Sequence, residues 1–195
     1  GQIWTLVVPK RELPVRFDAG AARRFVREGG AILRSDPNPA LVLTALGGYQ
    51  LGEVLRASER LAAKGVKHSV VCLFEPRRFA EPRGTVEEAL CLSRAERERF
   101  YPDSASARLF VTHTRSGRLA GLLQSIDTGP GTRALGYRNQ GGTLNEAGML
   151  FVNKQSWAHV VEASASLLSL KPSDLLSADE LAVLDGRLSP HGVVI

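Results

Sequence analysis

The stretch LVLTALGGYQLGEVLRASERLAAKGVKHSVVCLF, residues 41–74, decides the fold. Leu41 to Leu46 is a near-continuous apolar run of strand length, the pattern of a parallel strand covered on both faces. Gly47-Gly48 permits a tight turn. Leu51, Val54, Leu55, Leu61 and Ala62 then recur at helical spacing, and Gly65 supplies a usual helix-ending signal. Residues 68–74 read as a second strand. Strand, helix and strand in so short a span make a compact right-handed βαβ unit.

Working outward, the same alternation continues. Residues 3–8 form a short β-rich run ended by Pro9, and residues 17–28 have helical character that stops at Gly29-Gly30. Asp36-Pro-Asn-Pro39 is a turn or linker leading into the main domain. Downstream, residues 75–104 are charged and punctuated by Pro76, Pro82 and Pro102, with one polar helix expected near 86–100. Residues 108–113 read as a third strand, followed by a helix carrying Leu119, Leu122, Leu123 and Ile126. Gly129-Pro-Gly131 is a turn, residues 134–137 a short fourth strand, and Gly141-Gly142 a loop. Trp157, Val160, Val161, Ser164, Leu167 and Leu168 line one face of a late helix, which leaves His159 expected on the exposed side. The order predicts a three-layer α/β/α sandwich with a mostly parallel sheet.

Bulk properties narrow the class. The 195 residues are 44% hydrophobic and 23% charged, ordinary for a folded soluble chain. No apolar run approaches the ~20 residues needed to cross a bilayer. The N-terminus has no signal-peptide pattern, and its lack of an initiator Met is expected of a clipped or cloned fragment. Cys72 and Cys91 are too few for a disulfide framework, and Cys72 reads as a reduced core thiol. These features predict a cytoplasmic protein. The net charge of +5 comes from basic residues spread from Lys10 to Arg187 with acids interleaved, so no nucleic-acid-binding face is expected.

Signatures of catalysis are missing. The sequence has no Gly-x-Ser-x-Gly elbow, no phosphate loop ending in Lys-Ser/Thr and no His-Glu-x-x-His. Gly47-Gly-Tyr-Gln-Leu-Gly52 lacks the dinucleotide-binding order. A helix start after a parallel strand can still receive an anion, which makes Gly48 and Leu51, with the strand-end His113, a candidate anion site. The four histidines, His68, His113, His159 and His191, have no metal-ligand spacing. Glu87-Glu88 and the run Arg94 to Arg99 read as a solvated helical face, and Trp157 and Phe151 as core or interface residues.

Three stretches in order resemble the end of transketolase-type enzymes. Trp4-Thr-Leu-Val-Val-Pro-Lys10-Arg11, with Arg27-Glu-Gly-Gly-Ala-Ile-Leu-Arg34 behind it, is similar to the strand that closes the family's pyrimidine-binding domain and to the linker after it. Pro39-Ala-Leu-Val-Leu-Thr-Ala-Leu-Gly-Gly48 looks like the opening βαβ of the C-terminal domain, although a Gly-Ser-Glu turn is usual where Gly47-Gly-Tyr stands here. Leu135-Gly-Tyr-Arg-Asn-Gln-Gly-Gly-Thr143 through Val161 resembles the closing loop and helix and leans toward phosphoketolases.

The resemblance implies residues 1–38 as the end of the preceding domain plus linker, 39–170 as the C-terminal-like α/β domain, and 171–195 as an extra helical tail. Ser177-Ala-Asp-Glu180 in that tail is a capping-box-like helix start. It implies a homodimeric parent enzyme that uses thiamine diphosphate and Mg²⁺ on sugar phosphates, with the cofactor held by upstream domains. The Gly-Asp-Gly…Asn motif for diphosphate and metal is absent from this chain, as is the activating acid, so no cofactor and no turnover are expected of it alone. In the family's Ser-Arg-Gln tripeptide the basic residue faces the sugar phosphate. Lys10 matches it, with Arg11 the substitute one position on. A free-standing small-anion-binding regulatory module, or the end of a 2-oxo-acid dehydrogenase E1, fits the same architecture.

Overall fold

The computed structural model describes residues 12–120, 123–127, 129–138 and 142–195. Five strands form one sheet: β1 (Gly30–Arg34), β2 (Leu41–Leu46), β3 (His68–Leu73), β4 (Ala107–Thr112) and β5 (Thr132–Leu135), in the order β1-β3-β2-β4-β5. β2 pairs in parallel with β3 and β4, and β4 with β5, while β1 runs antiparallel to β3 at the edge. The expected parallel three-layer sandwich is the fold found.

The alternation of strand side chains builds two cores. Leu41, Leu43 and Ala45 of β2 point to one face, together with Val70 and Cys72 of β3 and Ala107, Leu109 and Val111 of β4. Against that face pack α2 (Gly48–Ala63), through Leu51, Val54, Ala57 and Leu61, and α7 (Trp157–Leu167), through Val160 and Val161. Val42, Leu46, Val71, Leu73 and Phe110 point to the other face, under Phe79, Leu92, Phe100, Tyr101, Leu119 and Ile126. Every residue of β2 is buried, as its apolar run predicts. The one polar member, Thr44, is satisfied by a 3.1 Å hydrogen bond between its hydroxyl and the Tyr101 hydroxyl. Tyr101→Phe leaves the Thr44 hydroxyl without that partner, and a loss of about 1–2 kcal/mol is expected in urea unfolding.

Several segments differ from the sequence reading. Residues 30–34, expected as linker, form edge strand β1, and the Gly29 carbonyl accepts from Phe74 N and Glu75 N at 3.0 and 2.9 Å. α1 (Ala19–Glu28) precedes it, capped by Asp18. The single polar helix expected at 86–100 is instead α3 (Thr85–Glu88) and α4 (Arg94–Phe100). A capping box between Ser93 and Glu96 starts α4 afresh and breaks the run. α5 (Ser116–Ala120) follows β4. α6 (Glu146–Val152), capped by Asn145, was not expected at all. The run 3–8, Leu122 and Gly141 lie outside the described residues.

His159 corrects the reading of α7. It is 6% exposed rather than solvated. The helix is covered on more than one side, by the sheet and α2 and by the C-terminal helices α8 (Pro172–Leu175) and α9 (Ala178–Leu184), so its residues do not split into one wet and one dry face. The stretch 171–195 is helical, with the Ser177–Glu180 capping box in place, and Leu175, Leu176, Val183 and Val194 belong to the first core. Arg60 of α2 holds Glu180 of α9 by two bonds of 2.8 and 2.7 Å.

Candidate functional site

Strand order fixes where a ligand site belongs. From β2 the chain crosses through α2 to β3, and from β4 it crosses in the opposite direction to β5. The connections diverge between β2 and β4. In open α/β sheets, ligands bind in the crevice beyond the C-terminal strand ends at such a divergence. Gly47, just after β2, and His113, just after β4, stand there.

These two loops are fastened to each other. The backbone N of His113 donates to Leu46 O at 3.2 Å, and the Nδ1 of the same residue lies 3.1 Å from that oxygen. A carbonyl oxygen can only accept, so Nδ1 carries a hydrogen and Nε2 is the ring nitrogen left for a ligand. Gly47 has φ +115°, and a Cβ on it would lie 2.4 Å from Gln50 Oε1 and 3.2 Å from His113 Nδ1. Glycine is required here by backbone conformation and by space together.

A cavity of about 370 Å³ opens beside this junction, lined by Tyr49, Gln50 and His113, by Met149 and Leu150 of α6, and by Asn153, which caps that helix. Gln50 Nε2 donates to Gln155 Oε1 at 2.9 Å across its floor. Asn153 Oδ1 accepts from Arg138 N at 2.8 Å and Asn153 Nδ2 donates to Met149 O at 2.9 Å, which ties the loop after β5 to α6. That loop also rides closely on the one after β4. Tyr137 N donates to Thr114 O at 2.9 Å, and a Cβ on Gly136 would stand 2.4 Å from Ser116 N.

The residues expected to form an anion site are not gathered at one point. His113 lines the cavity. Gly48 borders a second, smaller cavity, where the Leu13 side chain lies so close that a Cβ on Gly48 would meet Leu13 Cδ1 at 2.1 Å. Leu51 is packed in the core, and its N–H is donated to Gly47 O at 2.9 Å. Lys10 and Arg11 lie outside the described residues. The sequence reading passed over Gln50 and Gln155. Their place in the first turn after a strand-end Gly-Gly pair, and just before the Ser156 cap of α7, is the signal that points to them.

Other titratable groups near the core are structural. Burial pushes the Cys72 thiol up to about 11, which leaves it a poor nucleophile. His68 is held by Ser58 Oγ at 2.7 Å and Val66 O at 2.8 Å, and burial lowers its pKa below the usual imidazole value. Among the described residues no group of three or more His, Cys, Asp or Glu side chains is placed to hold a metal ion. No helix among them is long and apolar enough to cross a membrane.

No protein-family model matches the sequence, and no curated protein matches it. Solved structures do match its fold. A transketolase mutant from Pichia stipitis in complex with xylulose 5-phosphate superimposes with a TM-score of 0.56 at 16% identity, over 80% of this chain and 21% of that one. The fold is transketolase-like. A transketolase from Leishmania mexicana gives 0.55 at 16% identity, over 75% of this chain and 19% of that one. The enzyme from Campylobacter jejuni subsp. jejuni gives 0.52 at 17%, over 72% and 19%. The chain thus spans about a fifth of the length of the transketolases it resembles. At these identities the transketolase-like architecture is what the likeness establishes.

Proposed function

We propose that the chain is the C-terminal module of a thiamine-diphosphate-dependent enzyme of transketolase or phosphoketolase type, acting on sugar phosphates in the cytoplasm. Its part is to complete the architecture and contribute to the contacts of a homodimer, while the cofactor and Mg²⁺ sit in upstream domains. The observation that supports this reading best is the match of this one sheet-and-helix unit to about a fifth of the transketolase chain. The sequence adds its own support through the ordered motifs around Lys10, Gly47-Gly48 and Gly141-Gly142. Lys10, with Arg11 next to it in the sequence, supplies positive charge for the substrate phosphate.

The chain alone should not turn over. A coupled ketol-transfer assay on the purified chain with xylulose 5-phosphate, ribose 5-phosphate, thiamine diphosphate and Mg²⁺ is expected to read no rate above the protein-free control. Measurable transfer would overturn the assignment of a non-catalytic module.

A further inference from the structure

We propose that the cavity at the β2/β4 divergence is a binding site for a small, neutral, planar heterocycle bearing a lactam or carboxamide edge. The inference goes beyond the module assignment and does not rest on it.

The volume of about 370 Å³ lies within the range of small-molecule sites, roughly 300–1,000 Å³. The lining is divided in the way such sites usually are. Met149 and Leu150 give an apolar wall and Tyr137 an aromatic one; Gln50, Gln155 and His113 give one polar edge, and Asn145, Glu146 and Asn153 add further polar groups to the lining. That edge carries unmet hydrogen-bonding capacity. Gln50 is 6% and Gln155 2% exposed, and the bond between them uses one NH₂ and one carbonyl. The carbonyl of Gln50 and the NH₂ of Gln155 have no other protein partner among the described residues. Reversing both amides exchanges the two roles and leaves the same donor and acceptor free. Neither group is among the fully buried unpartnered side-chain atoms, so both are open to the cavity that the two residues line.

An adjacent donor and acceptor match the edge of a lactam or carboxamide, which presents one acceptor and one donor in return. His113 Nε2 adds a further hydrogen-bonding position at the rim. The apolar and aromatic walls suit the faces of a flat ring better than a polyol. No Lys or Arg lines the cavity among the described residues, so a phosphate would have no counter-charge there.

The test is a titration of uracil into the ¹⁵N-labelled chain, following the side-chain NH₂ resonances of Gln50 and Gln155, with inorganic phosphate and sorbitol titrated in parallel. Saturable shifts with uracil alone are expected, weakened at least about tenfold by Gln155→Leu because a hydrogen-bonding site then lacks its partner. Tyr137→Ala removes the aromatic wall and should weaken uracil binding as well, with melting of the free variant measured to show that it is folded. The proposal is overturned by an absence of saturable shifts with uracil, by equal shifts with phosphate or sorbitol, or by uracil shifts that survive both substitutions.

Discussion

Trp157→Ala is expected to destabilise the protein by about 4 kcal/mol, the middle of the range for a truncated core aromatic. The indole is 6% exposed and opens α7, and it is held from three directions. Its Nε1 donates to Val194 O at 3.0 Å, while its backbone N donates to Glu53 Oε2 at 2.7 Å, so a carboxylate of α2 satisfies an otherwise orphaned helix-start donor. The guanidinium groups of Arg56 and Arg60 stand over the ring at 5.4 and 5.0 Å. Arg56 also reaches Val194 O at 3.2 Å, and Arg60 reaches Leu175 O at 3.2 Å as well as Glu180. Removing the indole therefore leaves a cavity between α2 and α7 and loosens the C-terminal segment from both. Urea unfolding reads the loss, and limited proteolysis should show faster cleavage within residues 186–195. Glu53→Gln keeps an acceptor for the Trp157 N–H and is expected to cost less. Equal losses for the two substitutions would mean that the Glu53 charge, and not indole packing, holds this junction.

Acid should unfold the protein in a window that precedes most carboxylate titration, and His159 is the cause. Burial, followed by the positive charges of Lys154 and Arg138, pulls its pKa down to about 4. Its Nδ1 is bonded to Ser156 Oγ at 2.7 Å and its ring meets Phe151 edge-on at 5.1 Å. The unfolded chain takes up this proton near the ordinary value of 6.5, whereas the native state resists it down to about 4. Between those values protons favour the unfolded state. Stability is fully present above about 6.5, falls as the pH drops, and has lost roughly 3 kcal/mol from this group near pH 4. His68, lowered mainly by burial, acts in the same direction. Glu180 contributes only at lower pH. Burial opposes its ionisation, but its bonds to Arg60 and Ser177 outweigh that and hold its pKa below the usual carboxylate value. His159→Leu should flatten the stability curve between pH 6.5 and 4.5 in urea titrations. An unchanged slope in that variant would assign the acid sensitivity elsewhere.

How far the sequence could be read follows from what each element is packed against. The β2-α2-β3 unit was legible because a strand buried on both faces is apolar throughout, and because Gly47 and Gly65 mark the ends of the helix between. β1 was not, since five residues opening on a glycine gain strand character only by pairing with β3. His159 was misplaced because helical periodicity predicts one wet face, and nothing local announces that α8 and α9 cover the other. The site was half legible. Strand-end glycines and His113 mark the crevice, yet the Gln50–Gln155 bond joins residues 105 apart in sequence and exists only through the packing of α2 against the start of α7.

The central claim, that this chain is one module of a thiamine-diphosphate enzyme, is tested most directly by sequencing the reading frame immediately upstream of Gly1. The account predicts a long continuous frame, or an adjacent partner gene, carrying a Gly-Asp-Gly…Asn motif and an activating glutamate. A start codon just before Gly1 with no such partner beside it would contradict the account.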